Sequence, residues 1–260
     1  RIGSIQVRTL ERSLDYACVG AYLHADDLAF NTALLQFIDY RFYRPFEHVM
    51  DASAGGAHVK WCVGGTTNVV LNALDRWRDT PTYDKPALEW EGEDGASRTL
   101  SYRELDRQVC RLAGGLRALG IAPGDVVAIY LPNVPEAMVA MLAVPKIGAV
   151  LMPLFSGFGA DAVARRLATG GATAVITIDA SLRRGRLVNA KAVVDEAAAF
   201  WPGLRHVIVL RHAGTPVAWR TGRDHWWDEL CAAQPDAAFT QEMDAEAPYL
   251  LVFTSGTTGR

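Results

Sequence analysis

Leu105, Val109, Leu112, Leu116 and Leu119 recur at alternating spacings of four and three. That period predicts an amphipathic helix with one apolar face. Ser101-Tyr102-Arg103-Glu104 precedes it in capping-box form, a hydroxyl and a carboxylate each placed to satisfy an amide of the first turn. Gly120 closes the helix and Pro123-Gly124-Asp125 turns the chain. Just upstream, 86–90 and 98–100 read as a hairpin around Gly92-Glu93-Asp94-Gly95. Downstream, apolar runs at 126–131, 149–155, 174–178, 206–210 and 249–254 read as strands. Helical patterns separate them: one capped by Asn133 with Glu136 three residues on, then 160–168, 188–200 and 224–233. Pro145 should kink or end the first of these near Val144.

Continuous apolar strands between helices imply parallel strands covered on both faces. The fold class is therefore α/β, a layered, mostly parallel sheet with flanking helices. Residues 1 to 25 have weak periodicity and carry no assignment. From Asp26 an aromatic-rich segment starts as a helix, with Leu28, Leu34, Leu35, Ile38 and Phe42 near helical spacing and Pro45 as its stop. Residues 51–57 are rich in Ala, Ser and Gly and read as a loop. The expected organisation is an N-terminal helical or irregular extension over 1–50 and an incomplete α/β domain over 51–260.

Composition changes little in this picture. At 260 residues, half of them hydrophobic, the chain can bury a sizeable core. A net charge of −3 gives no case for a nucleic-acid or anionic-membrane partner. No apolar run approaches the ~18 residues of a membrane span. Cys18, Cys62, Cys110 and Cys231 lie far apart without a C-x-x-C, which reads as reduced packing thiols in a cytoplasmic protein. The six histidines show no metal-ligand spacing, so no structural metal is expected.

Three motifs carry candidate chemistry. Gly157-Phe158-Gly159-Ala160-Asp161-Ala162 fits G-x-G-x-x-A, follows a strand and opens a helix, with Asp179 20 residues beyond Gly159. As a dinucleotide fingerprint it is misplaced, because the strand 126–131 precedes it and such fingerprints sit at a domain's first strand. Leu182-Arg183-Arg184-Gly185-Arg186 follows the strand 174–178 at its carboxyl end, where open α/β sheets bind ligands. It is either a solvated turn or a phosphate clamp, since guanidinium pairs bidentately with phosphate. Arg165 and Arg166 read as a helix face. Finally Thr254-Ser255-Gly256-Thr257-Thr258-Gly259-Arg260 packs four hydroxyls, two glycines and a guanidinium behind an apolar run at 250–253. That suits a loop wrapping a polyphosphate, although it is not a Walker A motif.

The last of these, from Phe253 to Arg260, resembles the start of the signature loop of the adenylate-forming superfamily of acyl-CoA synthetases, adenylation domains and luciferases. Pro45-Phe46, Lys60-Trp61, Asn68 and Asp75-Arg76 are similar to the N-terminal part of acetyl-CoA synthetases. So are Trp90-Glu91-Gly92, Thr99-Leu100-Ser101-Tyr102-Arg103-Glu104-Leu105 and the run from Gly124 to Pro132. Phe155-Ser156-Gly157-Phe158, Arg183 to Arg186 and Gly222-Arg223-Asp224 continue the likeness. It runs collinearly over about residues 38–260.

The resemblance implies the N-terminal part of the large domain of an AMP-forming acid–CoA ligase. The loop Thr254, Ser255, Gly256, Thr257, Thr258, Gly259 and Arg260 would embrace the β- and γ-phosphates of ATP, delivered as its Mg2+ complex. Arg183, Arg184, Gly185 and Arg186 would contact the phosphates of coenzyme A. Phe155 would lie by its adenine, and Gly157 would belong to the same pocket or to plain turn duty. The acid would be acetate or another short-chain carboxylate, passing through an acyl-adenylate. The chain departs from the family pattern at Pro145 and lacks the family's acyl-pocket, adenine-binding and C-terminal-domain residues. Catalytic residues are therefore expected beyond it, and these 260 residues alone are expected to be inactive. Alternatives are an adenylation enzyme that loads a carrier protein and a non-catalytic nucleotide- or coenzyme-A-binding fragment.

Overall fold

The structure is a computed structural model and describes residues 27–54, 59–93, 95–183 and 185–253. The chain forms two compact units. One takes the chain up to Thr67 together with Glu242–Ala247. The other takes Asn68–Gln241 and Pro248 onward.

In the first unit, helix α1 (Asp27–Phe37) ends well before Pro45. The cause is a Schellman closure: Tyr40 N–H donates to the Leu35 carbonyl and Asp39 N–H to Gln36, with Asp39 left-handed at φ 49°. Strands β1 (His48–Asp51) and β2 (Lys60–Val63) pair antiparallel across the 51–57 loop, of which 55–58 lie outside the described residues. β3 (Thr66–Thr67) pairs with a late two-residue strand, Met243–Asp244.

The second unit holds the α/β core. The expected hairpin is present as β4 (Pro86–Glu91) and β5 (Ser97–Ser101). Helix α2 (Tyr102–Ala118) follows, and its capping box is complete, the Ser101 hydroxyl accepting from Glu104 N–H and the Glu104 carboxylate accepting from Ser101 N–H. Leu105, Val109, Leu112 and Leu116 are all buried, so the four-three spacing marks the packed face. Replacing Ser101 with alanine is expected to cost about 1 kcal/mol. Calorimetry should find Tm lower by about 2–4 °C; an unchanged Tm would mean the cap contributes nothing.

Five parallel strands make the sheet: β6 (Val126–Ile129), β7 (Val150–Pro153), β8 (Ala172–Ile178), β11 (His206–Leu210) and β12 (Asp224–Trp226). Their order across the sheet is β12-β11-β8-β6-β7. Helices α3 (Pro135–Lys146), α4 (Ala160–Gly170) and α5 (Ala190–Ala198) cross between strands, and α6 (Trp227–Ala232) follows β12. Between β8 and α5 the chain makes a small antiparallel hairpin, β9 (Ser181–Arg183) and β10 (Arg186–Val188). Among the described residues no helix is long and apolar enough to cross a membrane.

Three expectations change. Asn133 is not a helix cap: Val134 holds that position, Pro135 is the first helical residue, and the Asn133 carbonyl accepts the Trp90 indole N–H at 2.7 Å. The expected stop near Val144 holds to within two residues: Pro145 sits in the last turn of α3, and only Lys146 is helical beyond it. The stretch 224–233 begins as strand β12, since its first three residues pair with β11. The run 249–254 is not a buried strand over its described part. Leu250 makes a single parallel bridge to Leu151, and Val252 is 58% exposed. It lies outside β7, so one side of it has no strand neighbour among the described residues.

Candidate functional site

In a parallel sheet the carboxyl ends of all strands share one edge. β7 ends at Pro153, β8 at Ile178 and β6 at Ile129, so the segments that follow them converge there. After β7 come Phe155, Ser156, Gly157 and Phe158, and then α4. After β8 comes the β9–β10 hairpin.

The structure brings Phe155, Gly157 and Arg183 together. The Phe155 ring is 57% exposed and meets Phe158 edge-on, at 5.5 Å between centroids and 80° between planes. The Arg183 guanidinium carbon stands 5.0 Å from the Phe155 centroid. Gly157 makes this approach possible. A Cβ there would lie 2.0 Å from Arg183 Nη1 and 2.6 Å from Phe155 Cε1, so alanine would push the guanidinium aside.

Arg186 is exposed and directly opposite Arg183 in the hairpin register. Gly185 supplies the left-handed turn between the strands, φ 72°. Like charges directly opposite across a strand pair are destabilising unless an anion sits with them. Leu182 and Leu187 form the next pair and face away, towards a cavity of about 570 Å³ also lined by Trp90, Pro132 and His212. Arg184 lies outside the described residues, as do Thr254, Ser255, Gly256, Thr257, Thr258, Gly259 and Arg260.

Sequence reasoning missed two residues that shape this edge. Tyr130, one position past β6, is buried and its hydroxyl donates to the Phe158 carbonyl at 2.7 Å, with the Ser156 carbonyl at 3.2 Å. It ties the glycine turn to the sheet. Burial raises the phenol's pKa while nearby Arg183 opposes the rise, so it remains a proton donor at neutral pH. Arg166 was read as part of a helix face. Its guanidinium carbon lies 4.1 Å from the Phe158 centroid and 5.5 Å from that of Phe253. Phe253 is the residue directly before Thr254. Leu151 N–H donates to Tyr249 O, and Leu251 N–H to Leu151 O, each at 2.8 Å, which guides the chain along β7 to this edge. No motif flags an aromatic pair that clasps a helical arginine, so the signal was absent from the sequence.

The G-x-G-x-x-A reading loses its acidic residue. Asp179 is buried and its carboxylate accepts from the backbone N–H groups of Ala180, His212, Ala213 and Thr215, at 2.7 to 3.1 Å. Burial pushes its pKa up, but these four donors outweigh it and hold the carboxyl below the usual range. A carboxylate so saturated organises the 212–215 loop and is not free for a ribose. Among the described residues no group of three or more His, Cys, Asp or Glu could hold a metal.

A family model described as AMP-binding enzyme matches residues 74–260. This chain belongs to the AMP-binding enzyme family. The acetyl-coenzyme A synthetase of Deinococcus radiodurans is 43% identical over 222 residues, 85% of this chain and 34% of that protein. That of Escherichia coli K12 is 43% identical over 84% of this chain and 34% of its own length. The solved acetoacetyl-CoA synthetase from Streptomyces lividans superposes with a TM-score of 0.82 at 30% identity, over 95% of this chain and 37% of that one. The chain thus spans about a third of the length of the relatives it matches.

Proposed function

We propose that this chain is the N-terminal part of an ATP-dependent, AMP-forming acid–CoA ligase, with acetate or another short-chain acid as substrate. In that reaction the carboxylate attacks the α-phosphate of Mg-ATP and pyrophosphate leaves. The thiol of coenzyme A then attacks the acyl-adenylate. The residues here bind and orient; positioning and charge neutralisation are what such a transfer asks of the protein.

One observation carries the reading. An exposed aromatic face, a guanidinium stacked on it and a second arginine opposite stand together at the carboxyl edge of the sheet. Phe155 offers a face for the adenine of coenzyme A. Arg183 and Arg186, with Arg184 and Gly185 between them, offer donors to its phosphates. The reading of Thr254 to Arg260 as the ATP phosphate loop is supported by Phe253 reaching the same edge beside Arg166. Sequence spacing and family membership support the rest. The domain division into 1–50 and 51–260, and a cytoplasmic location, stand on the same footing.

Calorimetric titration of coenzyme A into the chain should give saturable binding, and pantetheine, which lacks the nucleotide, should give none. Tight binding of NAD with no binding of coenzyme A would overturn the assignment. Because the chain covers a third of its relatives' length, these 260 residues alone should not catalyse ATP–pyrophosphate exchange. Measurable exchange by the purified chain would refute that part.

A further inference from the structure

A second cavity, of about 670 Å³, opens at the opposite edge of the sheet, where β11 and β12 begin. β11 has five residues, so the two edges stand about 17 Å apart. Arg205, His206, Arg220, Gly222 and Arg223 line it together with Trp201, and no aspartate or glutamate does. The volume lies within the range of small-ligand sites.

The charges do not cancel. Arg223 is engaged in ion pairs with Asp195 and Asp224. Arg205 reaches Asp125 at 3.3 Å from an exposed position, a contact worth little in water. The Arg220 guanidinium makes no ion pair or hydrogen bond among the described residues, although its backbone is fixed. Its N–H donates to Asp224 Oδ2 at 2.9 Å, and its carbonyl accepts from the N–H groups of Arg223 and Asp224. Gly222, with φ 85°, closes that turn. The amides of Thr221 and Gly222 also have no protein acceptor among the described residues. The Trp201 indole N–H is already given to the Ala172 carbonyl at 2.7 Å, so its ring offers the cavity only an apolar wall.

We infer that this cavity binds a small phosphate-bearing anion, held chiefly by Arg220 with Arg205 at the rim. Two guanidinium groups and two free amides supply many donors. A phosphoryl group brings three acceptor oxygens and a double charge, where a carboxylate brings two oxygens and one charge. A concave surface lined by one sign of charge also concentrates the opposite ion.

Inorganic pyrophosphate is the probe, titrated calorimetrically into the 260-residue chain. Saturable binding that weakens as salt rises is expected. Arg220→Ala should weaken it about tenfold or more, the loss of one charge-assisted contact. The pair Arg205→Ala/Arg220→Ala should remove one saturable component of that binding, while Arg183→Ala/Arg186→Ala should leave that component intact; binding at the loop proposed for ATP would persist in both as a separate component. Thermal melts of Arg220→Ala should match the parent, because the side chain has no hydrogen-bond or ion-pair partner among the described residues. Absence of binding overturns the inference. So does an isotherm unchanged in Arg205→Ala/Arg220→Ala, or a component lost equally in Arg183→Ala/Arg186→Ala, since either places the anion elsewhere.

Discussion

Replacing Asp224 with alanine is expected to destabilise the α/β unit by about 3–5 kcal/mol, the cost of breaking a buried ion-pair network from one side. For a unit of this size that lowers Tm on the order of 10 °C. The side chain of Asp224 is wholly inaccessible and that of Lys191 is 1% exposed, with Lys191 Nζ 2.9 Å from Asp224 Oδ2. Arg223 Nε approaches Asp224 Oδ1 at 2.6 Å, and Lys191 and Arg223 both reach Asp195. Alanine would leave the buried Lys191 and the partly buried Arg223 to share Asp195 and would free the Arg220 amide. The loss would therefore exceed that of any surface pair in the molecule. Asparagine, which keeps the volume and one acceptor, should cost less but still far more than a surface change.

The pH dependence of this difference has a definite sign. Burial pushes the Asp224 carboxyl upward, but hydrogen bonds from Arg223, Lys191 and the Arg220 amide bring it below its ordinary value of 3.8. A carboxyl depressed by folding stabilises at every pH above its unfolded pKa and stops doing so as pH falls through the folded one. Urea melts should show a constant gap between parent and Asp224→Ala at neutral pH. The gap should narrow as pH drops below about 4. A gap that widens in acid would mean that Asp224 is neutral in the folded protein.

The same residue illustrates what a one-dimensional reading can find. The leucine spacing of α2, the capping box and the alternating strands were legible because each is a local pattern with a local cause. Residues 224–226 looked helical because Asp, His and Trp precede a helix. Their actual state is set by β11 alongside and by Lys191 beneath, neither of which a local window contains. Likewise Asn133 has the chemistry of a cap but yields to Pro135, whose fixed φ already suits a first helical turn. The site divides in the same way. Arg183 was legible by its place after a strand's carboxyl end, and Phe155 only through the family resemblance. That they stack, that Gly157 makes room for them and that Tyr130 anchors the turn are tertiary facts. Asp179 fitted a sequence rule by spacing alone, and its four backbone donors show a different job.

Exchanging both Arg183 and Arg186 for alanine, in an active ligase that contains this chain, should raise the KM for coenzyme A and leave acyl-adenylate formation nearly unchanged. One lost charge-assisted contact is worth about 1.5–3 kcal/mol, or about 10- to 150-fold in affinity. The pair shares one ligand, so the two losses need not add. ATP–pyrophosphate exchange reads the first half-reaction and thioester formation the second. Equal loss in both would place these arginines in general structure and not at the coenzyme A subsite. Stability supplies the independent check. Arg183 and Arg186 oppose each other across the hairpin, and neither has a carboxylate partner among the described residues, so removing both relieves repulsion and should not lower Tm. Lysine at both positions keeps the charge but loses the planar fork and the stacking on Phe155, so it should rescue only part of the coenzyme A affinity. A full rescue would reduce the site's requirement to charge alone, and the geometry of Phe155, Gly157 and Arg183 would then have no bearing on recognition.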